Sequence, residues 1–122
     1  MRRDMDLARN ILFTIEEYSE PNGWAEIKIE NYSQEEISYH IKLLYQAGLI
    51  EADNLTDSGG FEWKAKSLTW NGHEFLDSAR SNSRWNDAKK YILEKGGNLT
   101  FDILKTVLSE IIKTLEIEKP FH

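Results

Sequence analysis

The stretch SQEEISYHIKLLYQAGLIEAD, residues 33–53, constrains the fold of this chain more than any other. Ser33 is followed three residues later by Glu36, the spacing at which a serine hydroxyl and a glutamate carboxylate satisfy each other's backbone amides at the start of a helix. Ile37, Ile41 and Leu44 then repeat at helical spacing and define one buried stripe, flanked by His40 and Leu43. Gly48 follows the last helical turn and suits the left-handed position that closes a helix. The residues after it, LIEAD, read as a short strand. A helix with both ends specified therefore hands the chain to a strand at a fixed place.

The flanking segments add six elements. Residues 3–19 predict a helix whose apolar face is Ala8, Ile11, Leu12, Ile15 and Tyr18, with Asp4 and Asp6 in the first turn, where carboxylates suit the helix dipole. SEPNGW breaks it with Pro21 and Gly23. WAEIKIENY alternates Trp24, Ile27 and Ile29 against Glu26, Lys28 and Glu30, as a short strand or an extended linker does. NLTDSGG is rich in turn residues. FEWKAKSL is the return strand, with Phe61, Trp63, Ala65 and Ser67 on one face and Glu62, Lys64 and Lys66 on the other, giving a hairpin with its tip near residues 57–60. Thr69 can cap a helix over WNGHEFLDSARS that turns Phe75, Leu76 and Ala79 inward. Ser83 can cap RWNDAKKYILEK, which stops at Gly96 and Gly97. Thr100 can cap FDILKTVLSEIIKTLEIEK, which ends before Pro120.

Helix, extended segment, helix, hairpin and three further helices make an α+β fold, mostly α. The first part follows the winged-helix plan with a two- or three-stranded wing hairpin. The departure lies at residues 20–32, where a standard helix-turn-helix has a short second helix and this chain has Pro21, Gly23 and an alternating run. Residues 1–82 are expected to form the winged-helix-like core. Residues 83–122 are expected to form a C-terminal helical extension, packed on that core or forming a dimer seam.

Composition narrows the functions open to such a fold. The chain has 122 residues, no cysteine and a formal charge of −6. It has no thiol nucleophile and no thiolate metal site. No apolar run approaches a membrane span, and MRRDMDLARNILF lacks the apolar stretch of a signal peptide, so a cytoplasmic location and no membrane partner are expected. The glycosylation-type matches at Asn31, Asn54 and Asn98 are then turn and cap residues. His40, His73 and His122 form no ligand spacing, and no phosphate loop, dinucleotide fingerprint or nucleophile elbow occurs. His40 and His73 are expected as hydrogen-bonded structural residues near the core. No metal, no cofactor and no catalytic activity are expected. Residues 1–60 carry 12 acidic and 5 basic side chains, whereas residues 61–122 carry 9 and 10. An acidic N-terminal half opposes phosphate binding unless a local patch outweighs it.

Three stretches carry a family resemblance. RRDMDLARNIL, EEISYHIKLLYQAGLIEAD and SLTWNGHEFLDSARSNSRWNDAK together resemble the bacterial and prophage family named domain of unknown function 2513. Tyr39-His40, the run Leu68-Thr69-Trp70-x-Gly72-His73-Glu74-Phe75-Leu76, and Trp85 are the specific matches. The resemblance implies a winged-helix-like fold and a frequent home in mobile elements. It brings no established activity and no functional residues.

Two functions of different kinds fit. In the first, the chain is a DNA-binding or transcription-associated module that meets double-stranded DNA through Gln34, Ser38, Tyr39 and Lys42 on the second helix and Lys64 and Lys66 on the wing. Homodimerisation would use Leu104, Val107, Leu108, Ile111 and Leu115, whose spacing resembles a short coiled-coil seam. In the alternative, it is an acidic adaptor or inhibitor whose face, including Glu16, Glu17, Glu35, Glu36, Glu51 and Asp53, meets a host or phage protein without touching DNA. Glu35 and Glu36 at the reading end of the helix weigh against the first, since carboxylates facing phosphate repel it. Arg80, Arg84, Lys89, Lys90 and Lys95 form the densest basic cluster, on a helix whose ordinary role is a solvated surface. Of Trp24, Trp63, Trp70 and Trp85, at least three are expected to be mostly buried.

Overall fold

The computed structural model describes residues 1–18 and 20–118, with side chains followed as far as Thr114. Its described residues form an α+β, mostly helical structure. The elements are α1 (Met5–Glu17), α2 (Gln34–Gln46), β1 (Ile50–Asn54), β2 (Trp63–Leu68), α3 (Trp70–Ser78), α4 (Asn82–Glu94) and α5 (Phe101–Glu118). The strands pair antiparallel as one two-stranded sheet. Two compact units divide within α3, Met1–Glu74 and Phe75–His122.

In the first unit, α1 is shorter at both ends than the expected 3–19, starting at Met5 because Asp4 is its cap: Asp4 Oδ1 accepts the Leu7 amide at 3.1 Å. Its inner face buries Leu7, Ala8, Ile11, Leu12 and Ile15, with Met5 beside them. Tyr18, expected on that face, is exposed at the end of the helix. Arg9 is also buried, its guanidinium 4.8 Å from the centre of the Phe13 ring. Burial holds the Arg9 pKa below its ordinary value against the opposing pull of Asp6.

Helix α2 is bounded as its sequence dictates. Ser33 Oγ accepts the Glu36 amide and Glu36 Oε1 accepts the Ser33 amide, each at 3.1 Å. At the other end Gly48 has φ 77°, its N–H donates to the Tyr45 carbonyl, and the Leu49 N–H donates to the Leu44 carbonyl, both at 3.0 Å. This is the doubly bonded glycine ending, which satisfies the Leu44 and Tyr45 carbonyls of the last turn. Ile37, Ile41 and Leu44 are the buried stripe.

His40 ties the two helices together. It is 3% exposed; its Nε2 accepts the Asp4 backbone N–H at 2.8 Å, and its Nδ1 lies 2.8 Å from the Glu36 carbonyl oxygen. A carbonyl can only accept and an amide can only donate. The pair of bonds therefore requires the neutral ring with its proton on Nδ1. Asp4 is the hub of the same knot, since its Oδ2 accepts the Tyr32 hydroxyl at 2.7 Å. That bond pushes the Tyr32 pKa up to about 12, with burial and the neighbouring carboxylates adding to it.

The hairpin tip forms at residues 57–60, where Asp57 and Gly60 exchange backbone bonds at 3.1 Å and Asp57 Oδ1 accepts the Gly59 amide at 2.7 Å. The alternation expected of the return strand is broken by a register shift: Glu51 pairs with Ser67 but Ala52 pairs with Ala65. Such a bulge leaves an extra residue, here Lys66, and re-aims side chains around it. Lys66 nonetheless reaches Asp53, the residue opposite Lys64. Residues 24–29 are not a strand, but Ala25, Ile27 and Ile29 turn inward while Glu26, Lys28 and Glu30 stay exposed. The Ala25 N–H donates to the Ala65 carbonyl at 2.8 Å.

Thr69 closes the hairpin onto the end of α2. Its N–H donates to the Leu49 carbonyl at 3.0 Å, its hydroxyl donates to the Gly48 carbonyl at 2.7 Å, and the same oxygen accepts the Gly72 amide at 3.0 Å as the cap of α3. Gly72 lies so close to Leu49 that a Cβ there would overlap the Leu49 carbonyl oxygen.

In the second unit, Phe75 meets Trp85 and Phe101 edge-on, at 6.3 and 5.3 Å between ring centres. Leu76 and Ala79 are fully buried beside Phe75, as their spacing predicts. Helix α4 is capped by Ser81, not Ser83: the Arg84 amide donates to Ser81 Oγ at 3.2 Å, and Ser83 Oγ is a 3.1 Å neighbour of that cap. Both serines precede the apolar residues by a plausible interval, and spacing alone could not separate them. Gly96 and Gly97 end α4 with the same pair of bonds that ends α2. Thr100 caps α5 through the Ile103 amide at 3.2 Å.

The tryptophans depart from expectation. Only Trp85 is buried, at 2% exposure; Trp63 is half-buried, Trp24 is 45% exposed and Trp70 is 77% exposed. Indole is amphipathic and tolerates the surface when its N–H or its face finds a partner. Trp24 Nε1 donates to Asp53 Oδ2 at 2.8 Å, and Trp63 leans on Tyr45 with ring centres 5.4 Å apart.

Three outcomes follow from these contacts. Gly72→Ala is expected to destabilise the protein by about 1–3 kcal/mol, read by chemical denaturation, because a backbone carbonyl has nowhere to retreat. His40→Leu strands the Asp4 amide, while the Glu36 carbonyl keeps its helical bond, and is expected to cost about 1–3 kcal/mol in the same assay. Ultraviolet titration should show Tyr32 ionising near pH 12, returning toward 10.0 in Asp4→Asn. Because the folded-state value is raised, the Tyr32 contribution to stability is complete below pH 10 and is lost as pH climbs toward 12.

Candidate binding groove

The N-terminal half of α2 and the start of the return strand stand apart and leave an open groove of about 570 Å³. Ile27, Ile37, Ile41, Phe61 and Trp63 supply its apolar lining, and Gln34, Glu35, Ser38, Glu62 and Lys64 its polar lining. The groove exists because α2 is fixed at both ends while the hairpin is anchored near its base by Thr69. Gln34 reaches across to the Ile27 carbonyl with its Nε2 at 3.4 Å. Glu35 and Glu62 are exposed, so the carboxylates sit toward solvent and the apolar groups below them.

The structure brings three of the six residues expected at a DNA surface into this groove: Gln34, Ser38 and Lys64. Ser38 is not on the outward face, however; it is 8% exposed. The helical repeat carries it from the outer face toward the buried stripe, one position from Ile37 and three from Ile41. Tyr39 is half-buried and meets the His40 ring edge-on at 5.7 Å. Lys42 lies over the Phe61 ring, its Nζ 5.9 Å from the centre. Lys66 pairs with Asp53 at 4.0 Å, and the same carboxylate oxygen takes the Trp24 N–H.

Sequence reasoning did not single out Ile27, Phe61, Glu62 and Trp63 as partners of α2. The available signal was the alternation around Ile27, which marks an inward side chain but not what it faces.

The second unit holds the residues expected at a dimer seam. Leu104 and Leu108 are completely buried and serve the chain's own interior, where α5 packs on α4. A side chain used there is unavailable to a second copy. Val107 and Ile111 are half-buried and line a shallow, largely apolar depression with Tyr91. The Leu115 side chain lies outside the described residues. The basic cluster is dispersed into local contacts: Arg80 pairs with Asp77 at 2.9 Å, Lys89 lies over Trp85, and Lys95 lies over Tyr91.

His73 is exposed, contrary to its expected place near the core, because it falls between Gly72 and Phe75 on the outer side of α3. His122 lies outside the described residues. Among the described residues no three His, Asp or Glu side chains gather as metal ligands would, and no helix is long and apolar enough to cross a membrane.

Comparison with known proteins agrees with the resemblance carried by the sequence. A protein described as an uncharacterized protein of Haemophilus influenzae is 39% identical over 121 residues, covering 94% of this chain and 98% of that protein. No solved structure matches the chain. The family model described as Hypothetical protein (DUF2513) matches residues 2–98, which takes in α1 through α4 and the whole groove, and the chain belongs to that family.

Proposed function

We propose that the chain is a non-catalytic binding module that holds part of a partner protein in the groove between α2 and the hairpin. The observation that carries this reading is the lining of the groove: Phe61 and Trp63 offer aromatic surface beside the exposed Glu35 and Glu62, over isoleucines that are themselves almost fully covered. Residues 1–74 hold 14 acidic and 7 basic side chains, so the unit around the groove repels phosphate at long range. Aromatic surface flanked by carboxylates favours a partner that brings apolar side chains and positive charge. This is the acidic adaptor reading with its contact surface moved from the general acidic face to one groove.

A second reading, a winged-helix DNA-binding protein of transcriptional control, has its own support. The order α1, extended segment, α2, hairpin follows the winged-helix plan, and the Ala25 to Ala65 bond is a rudiment of the short first strand. Against it stand the burial of Ser38, the pairing of Lys66 with Asp53, and Glu35 at the end of α2 that would face the groove of DNA.

Photo-crosslinking distinguishes the two. A photoreactive side chain at Glu62, in cells that make this protein naturally, is expected to yield a protease-sensitive adduct that a chain carrying Glu35→Lys does not form. A nuclease-sensitive adduct instead, with salt-dependent binding to duplex DNA that Lys42→Glu and Lys64→Glu abolish, would give the lead to the DNA reading.

A further inference from the structure

We infer that the groove takes its partner as an extended segment that adds a strand to the open edge of β2, with side chains alternating between apolar groups and Lys or Arg. This rests on the groove being a protein-binding site and specifies how the site is filled.

The argument begins with the backbone. The Leu55 N–H donates to the Glu62 carbonyl at 2.8 Å, and Asn54 lies opposite Trp63 in the next register position. In an antiparallel pair, bonded and non-bonded positions alternate. Trp63 and Ala65 therefore turn their own N–H and C=O groups away from β1, toward the outer edge. The Ala65 carbonyl is occupied there by the Ala25 N–H. At that point the edge is taken by the chain's own extended segment.

The third strand begun at Ala25 does not continue. Two residues on, the Ile27 carbonyl takes the Gln34 side chain at 3.4 Å instead of a β2 amide. Among the described residues no backbone group pairs with Trp63 on its outer side. The open edge coincides with the groove, since Phe61, Glu62, Trp63 and Lys64 line it on one side and Gln34, Glu35 and Ser38 on the other. An unpaired strand edge is a template for another chain, and a groove between a strand edge and a helix admits one extended peptide.

The lining then selects the sequence. Successive side chains of an added strand point to opposite faces. One set meets the aromatic surface of Phe61 and Trp63; the other lies near the rim, where Glu35 and Glu62 suit a Lys or Arg and Lys64 disfavours a run of several. Main-chain bonds supply affinity and the alternate pockets supply preference.

The test uses the full chain. A random-peptide display library is selected on it, and the recovered peptides are studied by amide NMR and by N-methylation of each peptide nitrogen in turn. The expected result is a set of peptides with alternating apolar and basic residues whose binding slows exchange of the Trp63 amide by about tenfold or more. N-methylation should abolish binding at every second position only. Glu35→Lys with Glu62→Lys, both exposed and remote from the core, should weaken the peptides by about tenfold. Peptides that perturb groove resonances but leave Trp63 exchange unchanged, or that bind as helices, overturn strand addition and leave the groove as a protein site. Peptides that bind elsewhere, or none recovered while duplex DNA perturbs the same resonances, overturn both.

Discussion

The Leu49 carbonyl oxygen is the point on which the first unit turns. It accepts the Thr69 N–H, and it lies where any side chain at residue 72 would have to go. Thr69 also donates its hydroxyl to Gly48, so the end of α2 and the base of the hairpin become one junction. The glycine ending of α2 brings Gly48 and Leu49 there, and the absence of a Cβ at Gly72 lets α3 begin there. Were the junction looser, the hairpin could swing relative to α2 and the groove would have no defined width.

A second knot fixes the other end of α2. Asp4 caps α1, accepts Tyr32 and donates its amide to His40, while His40 returns a bond to the Glu36 carbonyl of its own helix. A buried imidazole with one accepting and one donating nitrogen suits a place that must satisfy an orphan amide and a carbonyl at once. The acidic rim of the groove lies beyond this knot.

Most of the fold was legible from residues 33–53 and from the capping residues. Ser33, Gly48, Gly96 and Thr100, and Thr69 in its cap of α3, act locally, through bonds to backbone groups a few positions away, and local chemistry is what a sequence records directly. What failed was longer in range. The bulge at Lys66 leaves the alternating pattern of β2 unchanged on paper. The exposure of Trp24 depends on Asp53, on a different element. Ser38 looked outward because serine is polar, yet its position brings it within the groove floor. Leu104 and Leu108 fit a coiled-coil spacing as well as they fit an interior, and only their burial against the chain's own helices decides between them. The groove was hardest to foresee, since it is a gap between elements that each look complete.

The Asp4 knot also orders events during synthesis. Asp4 is made before its partners Tyr32 and His40. Ala25 waits for Ala65, and Gly48 and Leu49 wait for Thr69. At about 5–20 residues per second, α1 spends on the order of seconds without the bonds that hold it. The last partner among these is Thr69, which precedes α4 and α5 in the chain. The groove-bearing unit can thus close while the second unit is still being translated, and its apolar α1 face is exposed to the cell only over that interval.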